Sequence, residues 1–434
     1  MSLTADLGKK TTINLFFGIF LQALIALSFD GGGIVSGTIA SVAMNTQQIK
    51  WILLMYGPLL AARGDIAVLA GKLGTGLHLG AVKPTFRKNT PIYKTLLAST
   101  LTIAMIDAVL VGIITYIMNL LTFPVKYKVL DPTLFFVIPV LVMAITALIS
   151  TQITSFVAFF TYKKGMNPDI YVIPVMSTVN NILITAIYAG VLFILKPWQI
   201  GGADDTYWSP ALPGSKEMLP TYIAIIPAIL AIIGILFVIL KNRKDHEYRK
   251  MMKEAIFAVF ASALIGTITG FTLTKGEQAL EDFPQLLVAF PALIGTLVDQ
   301  TAITANILIT DFSAGYVEAK LSSIKKPKVF TTFLGIGLGG IIITILLTAV
   351  GTFIKWGSVM KLWHIAMVML VNVMANILGF IIVGLLIYVL AIVAFRREID
   401  PDNFAIPLTA CLADLTCASF IIIFSQGMLL PLVA

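Results

Sequence analysis

The chain has 434 residues, of which 58% are hydrophobic and 12% charged, with a mean hydropathy of +0.95. That is too apolar for a soluble domain and marks an integral membrane protein. The net charge of +8 therefore reports on which side of a bilayer each loop faces, not on nucleic-acid partners, and Cys411 and Cys417, inside one apolar run, suggest neither a disulfide framework nor a thiolate metal site.

A spanning helix needs about 20 apolar residues, because the hydrocarbon core is about 30 Å thick and each residue rises 1.5 Å. In chain order eleven segments qualify, at 13–29, 49–77, 95–121, 132–161, 169–195, 221–241, 254–273, 285–311, 329–354, 362–395 and 402–430. The first follows Lys9-Lys10 and reads as a retained span, since no small-residue cleavage site follows it. Long runs that satisfy their own backbone, without barrel-like alternation, make these helices. The longest connection, 197–219, carries Gly201-Gly202, Asp204-Asp205, Pro210 and Pro213 and reads as an external loop. The basic run 241–253 reads as a solvated, lipid-facing linker.

Lys and Arg in the connections set the orientation. With the N-terminus inside, the inside segments carry 20 basic residues and the outside segments 8, so the N-terminus is expected inside and the C-terminus outside. Arg63 and Lys72 are the basic residues within a span, either of which could pair with Asp65.

The chain also repeats itself. Asn167-Pro168-Asp169, Pro174 and Asn180-Asn181 are echoed 233 residues later by Asp400-Pro401-Asp402, Pro407 and Asp414, and Pro58 is echoed by Pro291. Helices 1 to 5 then correspond to 7 to 11, and helix 6 restores the sidedness that an odd number of crossings would invert. The expectation is an all-α polytopic protein: a five-helix repeat at 1–196, a linking region at 197–253, and a second, parallel repeat at 254–434.

Four acids fall inside apolar runs: Asp65, Asp107, Asp299 and Asp414. Each lies roughly 18 to 24 Å along its helix from the starting side, in the middle third of the bilayer. Isolated carboxylates there cost several kcal/mol or neutralise, whereas carboxylates around a hydrated cation path do not. The bland alternative for Asp65 is a buried ion pair that fixes helix packing. Pro58, Gly64, Gly71, Gly74 and Gly76 in helix 2, and Pro291, Gly295 and Thr296 in helix 8, permit close backbone approach beside the acids. Asn180 and Asn181 in helix 5 are neutral acceptors, and Asn181 occupies the repeat position of Asp414; Asn372 and Asn376 in helix 10 read as helix-to-helix ties. One charged and one neutral oxygen facing each other suit a large hydrated ion, because Mg²⁺ dehydrates reluctantly. Enzyme signatures are absent: His78, His246 and His364 are scattered, and no phosphate-binding glycine loop occurs.

The paired five-helix units, the proline-rich entry to the fifth helix with an acid inside it, and Arg63-Gly64-Asp65 in the second helix resemble the MgtE-type magnesium transporters. The chain looks most like their two-domain solute-carrier relatives, in which two such domains are fused through an extra helix. The resemblance implies a path between the two units lined by helices 2, 5, 8 and 11. It implies Asp414 as principal ligand for a hydrated Mg²⁺, Asn181 opposite it, Asp65 and Asp299 as further acids, and Gly64, Gly295, Thr296 and Asn180 on the path. The expected function is divalent-cation transport, most simply of Mg²⁺, in a cell membrane, by a single chain that needs no cofactor and no nucleic acid. The alternative is a proton- or sodium-coupled carrier of an organic solute that uses the same acids.

Overall fold

The computed structural model describes residues 2–43, 51–123, 131–165, 168–195, 219–313, 315–354, 362–397 and 401–432. The external loop 197–218 and the motif residues Asn167 and Asp400 lie outside them. Every described element is a helix: α1 (Ser2–Ser28), a 3₁₀ turn Phe29–Gly32, α2 (Gly33–Ala43), α3 (Trp51–Ala61), α4 (Arg63–His78), α5 (Pro91–Thr122), α6 (Thr133–Lys163), α7 (Pro168–Leu195), α8 (Leu219–Asn242), α9 (His246–Lys275), α10 (Glu277–Asp282), α11 (Pro284–Ser313), α12 (Pro327–Ile354), α13 (Leu362–Arg397) and α14 (Pro401–Phe424), which runs on through a π turn, Ser425–Leu429.

Among the described residues, ten runs are long and apolar enough to cross a membrane. Two differ from the reading of the sequence. The first does not stop at residue 29 but continues as Asn14–Ala43, through a break at Asp30. The expected second span is divided at Ala62 into α3 and α4, neither of which has the length of a span. The division is slight, since the Ala62 N–H still donates to the Pro58 carbonyl at 3.0 Å. The 233-residue offset reappears in the helix starts: Trp51 of α3 against Pro284 of α11, and Pro168 of α7 against Pro401 of α14.

Helix ends near the aqueous faces carry their own caps. Thr90 accepts from the Tyr93 N–H ahead of Pro91 at the first position of α5. Asp245 caps α9, accepting from the Glu247 and Tyr248 N–H groups and from the Thr95 hydroxyl at 2.7 Å; that hydroxyl above all holds its carboxyl below the usual value.

The helices arrange themselves by what they expose. α8 presents Ile223, Ile226, Leu230, Ile233 and Phe237 to the surroundings, a surface that suits lipid, whereas α11 is buried along nearly its whole length. Around α11 the two halves interlock, because a glycine pair from each half meets the other. Gly33 and Gly37 of α2 lie against the backbone of Ala292 and Val288 in α11, and Gly266 and Gly270 of α9 lie against Pro58 and Leu54 in α3. These glycines are themselves 233 residues apart. A Cβ on Gly33 would sit 2.5 Å from Ala292 Cα, and one on Gly266 would sit 2.7 Å from Pro58 Cα, so only glycine permits these crossings. Gly190 in α7, by contrast, faces open space.

Gly37→Ala and Gly270→Ala should each lower stability by about 1–3 kcal/mol or more, as overpacking against a rigid backbone does. Gly190→Ala should be neutral or slightly stabilising. Thermal unfolding of the purified protein in detergent checks this, and equal effects at all three positions would contradict the interlocked packing.

Candidate cation site

The site begins at the break in the first span. Asp30-Gly31-Gly32-Gly33 is a poor helix sequence, each glycine costing roughly 1 kcal/mol relative to alanine, and the chain tightens there into a 3₁₀ turn. The turn is fastened to α7. Thr178 donates to the Phe29 carbonyl at 2.6 Å, and the Thr178 methyl fills the place where a Gly32 side chain would be. Further along, Ser36 of α2 donates to the Asn181 carbonyl at 3.0 Å, and its hydroxyl meets that of Thr185, which Tyr56 of α3 also reaches at 3.0 Å.

This fastening directs Asp30 inward, where it is 1% exposed. Its carboxyl lies over Gly295 of α11, and a Cβ on Gly295 would sit 3.0 Å from Asp30 Oδ1. One turn further along α11 is Asp299, also 1% exposed, whose carboxyl comes within hydrogen-bonding reach of Asp30. Thr296 and Ser177 flank the pair, but the Thr296 hydroxyl gives its proton to the Ala292 carbonyl. Among the described residues, none of the four carboxylate oxygens has a well-formed hydrogen bond. Asn181 of α7 sits beside Gly295; its Nδ2 donates to the Pro291 carbonyl at 3.2 Å, which leaves Oδ1 buried without a donor. Pro291 has no N–H of its own but offers this carbonyl.

Arg63 closes the cluster. It opens α4 directly after Ala62 and is buried; its Nη2 donates to Asp414 Oδ1 of α14 at 2.5 Å, and its Nη1 donates to the Leu60 carbonyl at 3.2 Å. Its charge is also felt by Asp30 and Asp299. Among the described side chains, then, one guanidinium touches Asp414 and acts on Asp30 and Asp299 only through its field, leaving two negative charges uncompensated when all three carboxylates are ionised. One divalent cation carries the opposite charge. Yet no three Asp, Glu, His or Cys residues among those described stand close enough to hold a metal ion directly. Water must complete the shell of any ion bound here, as suits Mg²⁺.

Of the residues singled out from the sequence, Asp299, Asp414, Asn181, Gly295 and Thr296 come together here. Gly64 is buried beside Arg63 in α4, while the Asp65 side chain lies outside those described. Asn180 turns the other way, and Ser150 of α6 donates to its Oδ1 at 2.5 Å. Asp107 is buried on α5. Asn372 donates to Thr348 and Asn376 to Gln300, tying α13 to α12 and α11. Asp30 was not anticipated, because an apolar run ending at residue 29 places it in a loop; the second apolar stretch, 34–43, was the signal that the span continues. The guanidinium of Arg63 meets Asp414, a residue 351 positions away, which sequence proximity to Asp65 did not suggest.

At the repeat offset Arg63 corresponds to Thr296, and Asp414 to Asn181. A charged pair on one side of the site therefore stands where a neutral pair stands on the other.

Comparison with known proteins adds the following. The sequence model of the MgtE family, described as divalent cation transporter, matches residues 57–191 and again residues 290–424. The two matched segments stand at the same 233-residue offset and contribute Arg63 and Asn181, and Gly295, Asp299 and Asp414, respectively. The chain is also similar to solute carrier family 41 member 3 of Rattus norvegicus, at 21% identity over 426 residues, covering 92% of this chain and 85% of that one. No solved structure matches.

Asp414→Asn should destabilise the protein by about 3–5 kcal/mol, because it leaves the Arg63 charge buried without its partner. The double variant Arg63→Thr with Asp414→Asn, which copies the residues of the opposite side, should regain most of that loss. A double variant no more stable than Asp414→Asn in chemical or thermal unfolding would show that the charge pair is not what the single change breaks.

Proposed function

The chain belongs to the MgtE family of divalent cation transporters, and on that premise we propose that it carries Mg²⁺ between its two repeats. It is an integral membrane transporter, not an enzyme, and contains an internal repeat. The observation that carries the Mg²⁺ reading is the buried cluster of Asp30, Asp299, Asp414 and Arg63, whose two surplus negative charges and small number of direct ligands among the described residues fit a hydrated divalent ion.

The architecture of this reading has eleven crossings, with α3 and α4 together crossing once as a helix broken at Ala62. Two five-helix units, 1–196 and 254–434, run parallel about a pseudo-twofold axis along the membrane normal, joined through α8 and the basic linker. In this reading the N-terminus is inside and the C-terminus outside, which the excess of Lys and Arg on one side supports, and the membrane is the plasma membrane. The cation passes Asp65, Asp299, Asn181 and Asp414 on the walls made by α4, α11, α7 and α14, with Gly64, Gly295, Thr296 and Asn180 on those same helices. One chain supplies both repeats and so holds a complete path.

A buried path of this kind works by replacement. The carboxylates offer charge in place of the hydration that an ion entering a low-dielectric region loses, and the retained waters complete a shell for which the protein oxygens are too few.

Purified protein in proteoliposomes should take up Mg²⁺ in a saturable way under an imposed potential or sodium gradient. Asp414→Asn in the Arg63→Thr background should reduce that uptake at least about tenfold, since one discrete charge is lost from the path. Undiminished uptake would remove Asp414 from the path. Absence of divalent flux in the parent under every gradient would overturn Mg²⁺ transport and favour the organic-solute carrier.

A further inference from the structure

We infer that Asp30, at the break in the first span, forms with Asp299 the seat of the divalent cation. This rests on the reading of the chain as a divalent-cation transporter and adds to it a residue outside both segments that match the family.

Four observations converge on the seat. First, two carboxyls meet in the interior of a helix bundle, both 1% exposed, and among the described residues no well-formed hydrogen bond reaches any of their four oxygens. Like charges so placed repel each other and have lost their water, so something positive must lie between them for both to stay ionised. Second, the nearest permanent cation is committed elsewhere: Arg63 gives its strongest bond to Asp414 at 2.5 Å and a second bond to the Leu60 carbonyl. Third, Asn181 brings a buried neutral oxygen, Oδ1, that no group donates to, while its Nδ2 is held by Pro291. A fixed amide with a free oxygen beside two carboxylates, with the Ser177 hydroxyl alongside, is an arrangement rich in acceptors, as a cation or its water shell requires. Fourth, Gly295 keeps the space open, because any side chain there would press on Asp30 Oδ1.

The seat is one-sided. At the repeat offset Asp30 corresponds to Ala263 and Asp299 to Ile66, so the opposite half has no such pair. The two acids also come from different halves and meet only because α2 crosses onto α11 through Gly33 and Gly37. With too few direct ligands for a bare ion, the carboxylates hold it through water. Asp414, engaged by Arg63, then stands as the next acid along the path.

The competing occupant is a shared proton, which would make the pair a structural hydrogen bond. Thermal unfolding of the full chain in detergent, with and without Mg²⁺, together with Mg²⁺ uptake into proteoliposomes, separates the two. If the pair seats the cation, Asp30→Asn removes repulsion and should be as stable as the parent or more so without Mg²⁺. It should lose the upward shift in unfolding temperature that Mg²⁺ gives the parent, and its Mg²⁺ affinity should fall at least about tenfold, while Asp30→Glu recovers part of it. If the pair shares a proton, Asp30→Asn should be less stable without Mg²⁺ and keep the parent's shift and uptake within about twofold, which overturns the seat and leaves the transport reading standing. A parent with neither shift nor uptake overturns both. Should Asp30→Asn fail to purify as a monodisperse protein, Asp299→Asn carries the same readings.

Discussion

The structure depends on keeping one cluster of charged groups, Arg63, Asp414, Asp30 and Asp299, inside a mostly apolar bundle. A guanidinium cannot shed its charge, so Arg63 needs a carboxylate wherever it is buried, and it finds Asp414 across the boundary between the two repeats. That pair joins α4 to α14. It also fixes what the remaining acids face, since a cation already engaged at Asp414 leaves Asp30 and Asp299 short of positive charge. A bundle with this imbalance is better suited to an ion that comes and goes than to a permanently neutral core.

The helices around these charges are broken where the charges sit. α1 and α2 part at Asp30, and α3 and α4 part at Ala62, immediately before Arg63. Breaks at membrane depth are tolerated only where the freed backbone is covered by protein or lines a polar space. Both conditions hold at Asp30, where Thr178 covers the Phe29 carbonyl. The glycine contacts serve the same end. By letting α2 approach α11 and α9 approach α3, they carry each half's first helix into the other half and bring Asp30 to Asp299. Intertwined in this way, the two repeats share one interior.

The repeat symmetry is kept by the backbone and broken by the chemistry. Helix starts, prolines and crossing glycines follow the 233-residue offset. The polar residues do not: Arg63 faces Thr296 across the offset, Asp414 faces Asn181, and Asp30 faces Ala263. A fused pair of repeats is free to diverge in this manner because each half keeps its own gene-encoded residues, whereas two copies of one repeat would duplicate every charge. The consequence is a cluster whose charges are not matched across the repeat, and the cation path proposed through it would be lopsided.

Class, membrane embedding, helix content and repeat were legible in the sequence, because hydropathy and proline spacing are local quantities that survive without knowledge of the fold. Asp299, Asp414 and Asn181 were legible as well, since a polar group inside an apolar run is conspicuous wherever it folds. Asp30 was not, because the glycines after it resemble a loop and nothing local tells a loop from a helix break that protein covers. Nor was the partner of Arg63, which sequence places beside Asp65 and the fold places against Asp414. Which buried charges meet is decided by how helices cross. Those crossings follow from backbone contacts at Gly33, Gly37, Gly266 and Gly270 that span hundreds of residues, and although the glycines repeat at the 233-residue offset, nothing local says which helix each one meets. The sequence thus determined which groups must be hidden from lipid, and tertiary packing alone decided which of them neutralise one another and which are left without a counter-charge.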